Sequence, residues 1–552
     1  MAAHDLAAYR QDVEFVVNQI EHVHPAPFAY MQKSVFERDS RSLIAAARGE
    51  SLGCAIAQLM ALVAELHDGH TYLDPVNGPG LQAWYPVRFY AFPDGLYVTS
   101  VTPECADLVG KRVVRIGRLS SDEAMSKVQA LQAANNPIAA LEGAVWLSNA
   151  SIAGSLGAAV ADQMMITVVD GTGKTLTARL RPFGGLVNGG WPQQGEMFGP
   201  RMLKDAQPYV TAFDGRGPLD FRKNDSALPP HLRYRLPYFV LEMPDANLIY
   251  FQWNFVENWG DEDFAQFTER LFTVVDAHPH WRLAIDVRYN SGGDGSMVQP
   301  FLKQIIRRQQ FDEPGNLFVL TGRKTFSAAV DFVADAKEWT TAIVVGEPTG
   351  AGPDAYGDPQ EYVTPGLHIR FQVSTAYHAH ANGKDTSGAF SPDIPAMMRA
   401  SDYFVGRDPV LDAIINGREI LPLPALIAHS AADAKATLDR RRALWSGVTW
   451  YKPFSEGDMN RAGYDALRRG RTADAIIAFR MNADAYPDSW NVWDSLGEAQ
   501  RANGDVTGAI ESYKKSLTLY AGNENAKTAI SEMQAKRRLP EAAFARSDGR
   551  TT

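Results

Sequence analysis

Between residues 247 and 347, short apolar runs alternate with helical patterns, and this alternation restricts the fold more than any other feature of the chain. NLIYFQWN (247–254), RLAIDVR (282–288), LFVLT (317–321) and AIVVGE (342–347) read as strands. Between them Phe264, Phe267, Leu271 and Val274 mark one helix, MVQPFLKQII (297–306) a second and residues 328–338 a third. Strands and helices in this order predict α/β architecture, with a parallel sheet whose loops gather at the strand ends. This core is expected over 236–405.

A second constraint lies near the C-terminus. Gly463, Gly470, Ala475 and Phe479 recur as Gly497, Gly504, Ala509 and Tyr513, each pair 34 residues apart. Trp493, Leu496, Gly497 and Ala509 fall at tetratricopeptide spacing, and Pro487 closes the first unit. Two helix pairs are predicted over about 458–525, within an α-helical repeat domain at 456–535. So few repeats rarely stand alone, so they are expected to pack on a neighbouring domain or on a protein partner.

The remaining segments are less regular. Leu6, Tyr9, Val13, Val16, Ile20 and Val23 share a helical face, as do Ile56, Leu59, Met60, Val63 and Leu66, which places an N-terminal helical lobe at 1–80. Gly69 is expected to stop the second of these helices as a C-cap glycine, and Cys54 reads as core. YPVRFYAF, GLYVTSV and KRVVRIG are strand-like, and SSDEAMSKVQAL is a capped helix. Their order resembles a degenerate PDZ module, a type that binds extended peptides by strand addition, so 81–190 is read as a β-rich, PDZ-like region; a packed insert without a binding role fits the same pattern. Residues 191–235 are a loop-rich connection, 406–455 a connector and 536–552 a frayed tail.

With 552 residues, three or four domains are expected, and a net charge of −10 argues against a nucleic-acid surface. Two cysteines give no disulfide framework and no metal spacing. No apolar run is long enough to span a bilayer, and Asp5 and Asp12 interrupt the stretch a signal peptide would need, so a cytoplasmic location is expected.

The chemistry centres on TGRKTFSAAVDF (321–332), where a buried strand turns into a helix at Ser327. A serine hydroxyl needs a base within reach and donors for the oxyanion it creates. The unpaired first amides of the helix offer such donors, Ala328 first among them. A serine before AAVDF also makes a good N-cap. RYNSGGDG (288–295) follows the strand RLAIDVR; its glycines let backbone approach a ligand, and Gly293 could supply a second oxyanion amide, although tight turns use glycines in the same way. In ELHDGHTYL (65–73), His70 stands just past a helix end, where an imidazole could serve as general base or simply cap the helix. Lys324 would need burial to act as a base. His378 and His380 form an H-x-H pair and His67 and His70 are three apart, but no carboxylate or cysteine is placed to complete a metal site. No metal and no cofactor are expected. Asp286 and Asp294 read as anchors of the glycine turn.

Taken in order, LHDGHTYL, AIDVRYNSGGDG, FVLTGRKTFSAAVDF, IVVGEPTGAG and SPDI resemble the tail-specific, or C-terminal processing, serine proteases, over about residues 5–400. One branch of that family uses a lysine in the glycine-rich turn after VGE, and GEPTGAGPDAYG has none. The tricorn-like branch uses a histidine from a DGHT-type turn, and His70 matches it. The resemblance implies a ββα-spiral (crotonase/Clp-like) protease core fronted by a helical bundle that carries His70. It implies Ser327 as nucleophile, His70 as base, and the amides of Gly293 and Ala328 as the oxyanion hole, with Gly292 and Thr325 in substrate contact. The glutamate that the tricorn-like branch places before PDI is missing from NGKDTSGAFSPDI. Asp385 is the nearest carboxylate and is assigned the orienting role.

The expected function is a serine endopeptidase acting on peptides or unfolded protein, in which two lobes close to bring His70 to Ser327. The alternative is a weak or inactive peptide-binding scaffold of the same fold.

Overall fold

The computed structural model describes residues 3–75, 81, 83–160, 163–182, 210–211, 237–380, 388–416, 421–444 and 453–538. Apart from Val210–Thr211, the connection expected over 191–235 lies outside these residues, and so do Asp385 and most of the tail. The chain divides into two units, Met1–Gly417 and Arg418–Thr552.

In the first unit the four apolar runs become strands Leu248–Trp253, Arg282–Asp286, Leu317–Thr321 and Ile343–Gly346, all paired in parallel. Ile394–Pro395 adds a parallel edge, and Tyr238–Met243 closes the other edge antiparallel, giving six strands. Alternate residues point to opposite faces of a strand. On one face Ile249, Phe251, Trp253, Leu283, Ile285, Val319 and Val344 meet Phe267, Phe301 and Phe332. These three aromatics come from helices Phe264–Ala277, Val298–Ile306 and Ala328–Trp339 respectively. Aromatic contact runs through the layer: Trp253 stacks on Phe264 at 4.6 Å and meets Phe332 edge-on at 5.4 Å. The α/β layering that periodicity predicts is therefore present.

On the opposite face, buried Asp286 accepts hydrogen bonds from Tyr250 and Arg288, and Arg288 reaches on to Asp408. This network pins the chain where it leaves the strand for the glycine turn, the anchoring role expected of Asp286.

Residues 87–180 form an antiparallel sheet in which Val87–Phe92, Gly95–Val101, Arg112–Ile116, Met164–Val169 and Thr175–Leu180 lie in that spatial order. Its helix Ser121–Gln129 starts in a capping box between Ser120 and Glu123. Helices Ala3–Val23 and Leu52–Ala64 share a core with this sheet, including Tyr9, Val13, Ile56, Leu59, Phe89 and Ile166. Helix Lys33–Ala46 was not legible in the sequence pattern. Cys54 is half-buried rather than core.

The turn after helix Leu52–Ala64 also departs from expectation. The helix ends at Ala64, and His67, with φ of 52°, turns the chain. Gly69 is not the stop. A Cβ there would come within 2.7 Å of both Phe326 and Asn135, so glycine is required by packing against the Ser327 turn.

The second unit is helical. Glu456–Arg468 pairs with Thr472–Ala485, Trp490–Ala502 pairs with Val506–Leu519, and Glu524–Arg538 follows. The 34-residue period has a physical counterpart: the Gly463 position meets the Phe479 ring, and the Gly497 position meets the Tyr513 ring. Helices Leu423–His429 and Ala431–Leu444 join the same core through Leu423, Ile427 and Leu438. Among the described residues, no helix is long and apolar enough to cross a membrane.

Candidate active site

Ser327 sits between strand Leu317–Thr321 and helix Ala328–Trp339 with φ of 53° and ψ of −132°, a region that side chains other than glycine avoid. Such a conformation costs about 1–3 kcal/mol and persists only when the surroundings enforce it. The enforcement is visible. The Phe326 amide donates to Asn290 O at 2.9 Å, and the Ser327 carbonyl accepts from the Val330 amide at 2.7 Å. Ser327 makes no side-chain cap bond, so its hydroxyl is not serving as an N-cap.

The glycine turn packs directly against this serine. Gly292 has φ of +101°, and a Cβ there would stand 2.6 Å from Ser327 Cβ. Gly293 has φ of +139° and presses on Val256 O, where a Cβ would come to 2.2 Å. Both glycines are demanded by backbone conformation and by close approach. Among the described residues, neither the Gly293 amide nor the Ala328 amide donates to another backbone group.

Two expected substrate contacts are placed otherwise. Thr325 is fully buried; its hydroxyl donates to Val287 O at 2.8 Å and accepts from the Gly322 amide at 3.0 Å. It braces the turn and does not reach the cavity, because every polar group it has is already engaged. Gly292 is buried behind Ser327 and supports it from the rear. Lys324 is buried in an ion pair with Glu142 at 3.0 Å, away from the serine's cavity, which removes it as a base.

His70 arrives from the N-terminal side. Asp68, fully buried, organises its turn by accepting from the His70 amide at 2.9 Å, from the hydroxyls of Thr71 and Ser374, each at 2.6 Å, and from His24 Nε2 at 3.2 Å. The next strand, Tyr72–Asp74, pairs antiparallel with Arg370–Val373, and Gln372 donates to His70 O at 3.0 Å. The lobe closure expected from sequence is thus already built into the first unit by strand pairing. The His70 ring lies against Phe326, the residue before Ser327, with centroids 4.3 Å apart.

His70, Ser327, Gly293 and Ala328 line one cavity of about 90 Å³, together with Asp331, Tyr356, Gly357 and His378. His70 is 7% exposed, and neither ring nitrogen has a hydrogen-bond partner. The Ser327–His70 hydrogen bond is therefore not formed. Burial pushes the imidazole pKa down, while the charge of Asp68 and the nearby Tyr356 backbone oppose the shift. The downward shift favours the neutral ring, the form a base requires. Asp68 itself is held low: burial works against its charge, but hydrogen bonds from His24, Ser374 and Thr71 and the nearness of His70 outweigh it.

Asp68 and Phe326 were missed as site residues. The signal for Asp68 was in DGH itself, because an aspartate two residues ahead of a backbone amide commonly accepts from it. The expectation that no carboxylate completes a set with the H-x-H pair is also corrected. Ligand atoms of Asp331, His378 and His380 lie within 4.8 Å of one another.

No family model and no curated protein matches the chain. Among solved structures, mature CPAF complexed with lactacystin is similar over 75% of this chain and 99% of its own, at 14% identity and a TM-score of 0.48. The photosystem II D1 C-terminal processing protease is similar over 72% of this chain and 93% of its own, at 13% identity and a TM-score of 0.30. The tricorn protease is similar over 75% of this chain and 36% of its own, at 12% identity and a TM-score of 0.31. All three scores fall below 0.5, so the reading of the site rests on its own geometry.

Proposed function

We propose that the chain is a serine peptidase of the tail-specific type, tricorn-like in drawing its base from the N-terminal lobe, with a ββα-spiral core. The single observation that carries this reading is the convergence of Ser327, His70, Gly293 and Ala328 on one cavity from three distant stretches of sequence. In the proposed reaction, neutral His70 takes the Ser327 proton as the hydroxyl attacks a peptide carbonyl. The amides of Gly293 and Ala328 receive the oxyanion, with the helix dipole behind Ala328. His70 then protonates the leaving amine, and water, activated by the same imidazole, releases the acyl group. Asp68 holds the His70 turn and stabilises the imidazolium that forms. Asp385 is kept as a proposed relay residue on sequence pattern alone. The repeats, read as tetratricopeptide-like, would recruit a protein partner.

Hydrolysis of an unfolded protein by the full chain tests the reading: a rate lost in Ser327→Ala supports it, and a rate unchanged in that variant refutes it. One observation favours a second reading, a peptide binder of the same fold: the His70 ring nitrogens make no hydrogen bond to Ser327. Peptide affinity in the wild type, without turnover at any pH where the fold persists, would select it.

A further inference from the structure

We propose that a transition-metal dication, of which Zn²⁺ is the probe, binds between Asp331, His378 and His380 and blocks the Ser327 cavity. The ligands come from two rigid elements. Asp331 lies one turn into the helix that begins after Ser327, and its neighbour one turn further on is Asp335. His378 is on strand Ala376–Ala379, opposite Ala355, and His380 lies just beyond the strand. His380 reaches Asp331 and Asp335 of the helix, and a ring nitrogen of His378 lies within 4.8 Å of the ligand atoms of Asp331 and His380. The His380 amide donates to Pro353 O at 3.2 Å, which fixes the second histidine although it follows the strand.

The donors are already close. His380 Nε2 stands 3.0 Å from Asp331 Oδ1. Bonds of about 2.1 Å around a tetrahedral ion separate its ligands by roughly 3.4 Å, so a set within 4.8 Å needs only side-chain adjustment. Each imidazole also has a carboxylate beside it: Asp335 is 3.5 Å from His380 Nδ1, and Asp358 is 3.3 Å from His378 Nε2. For His380, Nε2 faces Asp331, its proton to be displaced by the ion, while Nδ1 faces Asp335, the arrangement that orients metal-bound histidines. Asp335 is held in turn by Gln299. Two imidazoles and one carboxylate select transition ions over Mg²⁺ or Ca²⁺, which prefer oxygen ligands in larger number.

Asp331 and His378 line the cavity that holds Ser327 and His70. Three protein ligands leave a position for water, and each water occupies about 30 Å³. A hydrated ion held by Asp331 and His378 would therefore project into the edge of the cavity that Ser327 lines. The inhibitory half of the proposal rests on the peptidase reading; the binding half does not.

Calorimetric titration of the full chain with ZnCl₂ tests binding directly. The expected result is one tight equivalent, at least tenfold weaker in His378→Ala and in His380→Ala, and weaker by a smaller factor in Asp335→Asn, with no competition from Mg²⁺. Circular dichroism checks that each variant is folded, and Co²⁺ spectra of the wild type give a second readout. Absence of binding, or an affinity unchanged in both histidine variants, overturns the site. For inhibition, the ratio of hydrolysis rates with and without Zn²⁺ is compared within each protein. A ratio near one in the wild type at saturating Zn²⁺ overturns the blocking role. If the metal-free chain hydrolyses nothing, the peptidase reading fails while the calorimetry still decides the site.

Discussion

Replacing Asp68 with asparagine tests how the base is held, because the change keeps the shape and removes one acceptor. The His70 amide and the cluster formed by Thr71, Ser374 and His24 engage different carboxylate oxygens. Asparagine retains an oxygen for the His70 amide but turns an NH₂ toward the other three donors. The hydroxyls can rotate away; His24 cannot. Its Nδ1 accepts from the Ala26 amide at 3.1 Å, so Nε2 must carry the proton that faces Asp68. One fixed donor left without an acceptor costs about 1–3 kcal/mol, and the two hydroxyls, which lose a charged acceptor even when they rotate, add about 1 kcal/mol, for a local cost of about 2–4 kcal/mol. Every 1.4 kcal/mol is tenfold in an equilibrium, so amides of strand Tyr72–Asp74 and its partner Arg370–Val373 should exchange hydrogen about 30- to 1000-fold faster. Hydrogen exchange read by mass spectrometry on the full chain resolves this. The same variant removes a charge that raises the His70 pKa, so phosphonylation of Ser327 should slow at neutral pH. Exchange within threefold of wild type, with an unchanged labelling rate, would refute the role given to Asp68.

Other expectations follow from the same geometry. Ser327→Gly should stabilise the fold by about 1 kcal/mol in chemical denaturation by relieving positive φ, and Ser327→Ala should be near neutral; an N-cap would instead lose about 1 kcal/mol on going to alanine. Gly292→Ala should destabilise by about 2 kcal/mol or more and abolish labelling of Ser327, because its Cβ would stand 2.6 Å from that of the serine. Gly463→Ala, whose Cβ would meet the Phe479 ring at 2.5 Å, should cost about 1–2 kcal/mol, whereas at Gly497, where Tyr513 stands at 3.0 Å, helix propensity should offset the crowding to about zero; thermal unfolding of the two variants compares them. The His70 pKa is depressed by burial, so the acid limb of Ser327 labelling should lie below about pH 6.5. Because the unfolded imidazole binds protons more readily than the folded one, this residue should also make stability fall as pH drops below that value, measurable by urea titration across pH.

Much of this architecture is legible in the sequence because its signals are local. Apolar runs such as LFVLT give buried strands, and GGDG and the serine turn lie where strand meets helix. Ser327, His70, Gly293 and Ala328 were each legible as chemistry-bearing residues, and the fold brings them to one cavity. What escaped was set by contacts between distant segments. Thr325 looks like a pocket residue until Val287 and Gly322 are seen to engage its hydroxyl. Gly69 looks like a helix stop, but its smallness answers Phe326, far along the chain. Asp331 was hidden from the H-x-H pair because only tertiary packing sets a helix beside that strand. Asp385 lies outside the described residues, so the relay assigned to it remains a reading of the sequence.

The most direct measurement of the central claim is mass-spectrometric mapping of a fluorophosphonate probe on the full chain. The account predicts one adduct, on Ser327, absent in Ser327→Ala and strongly slowed in His70→Ala. An adduct on another residue, or none on folded wild-type protein across the neutral pH range, would contradict it.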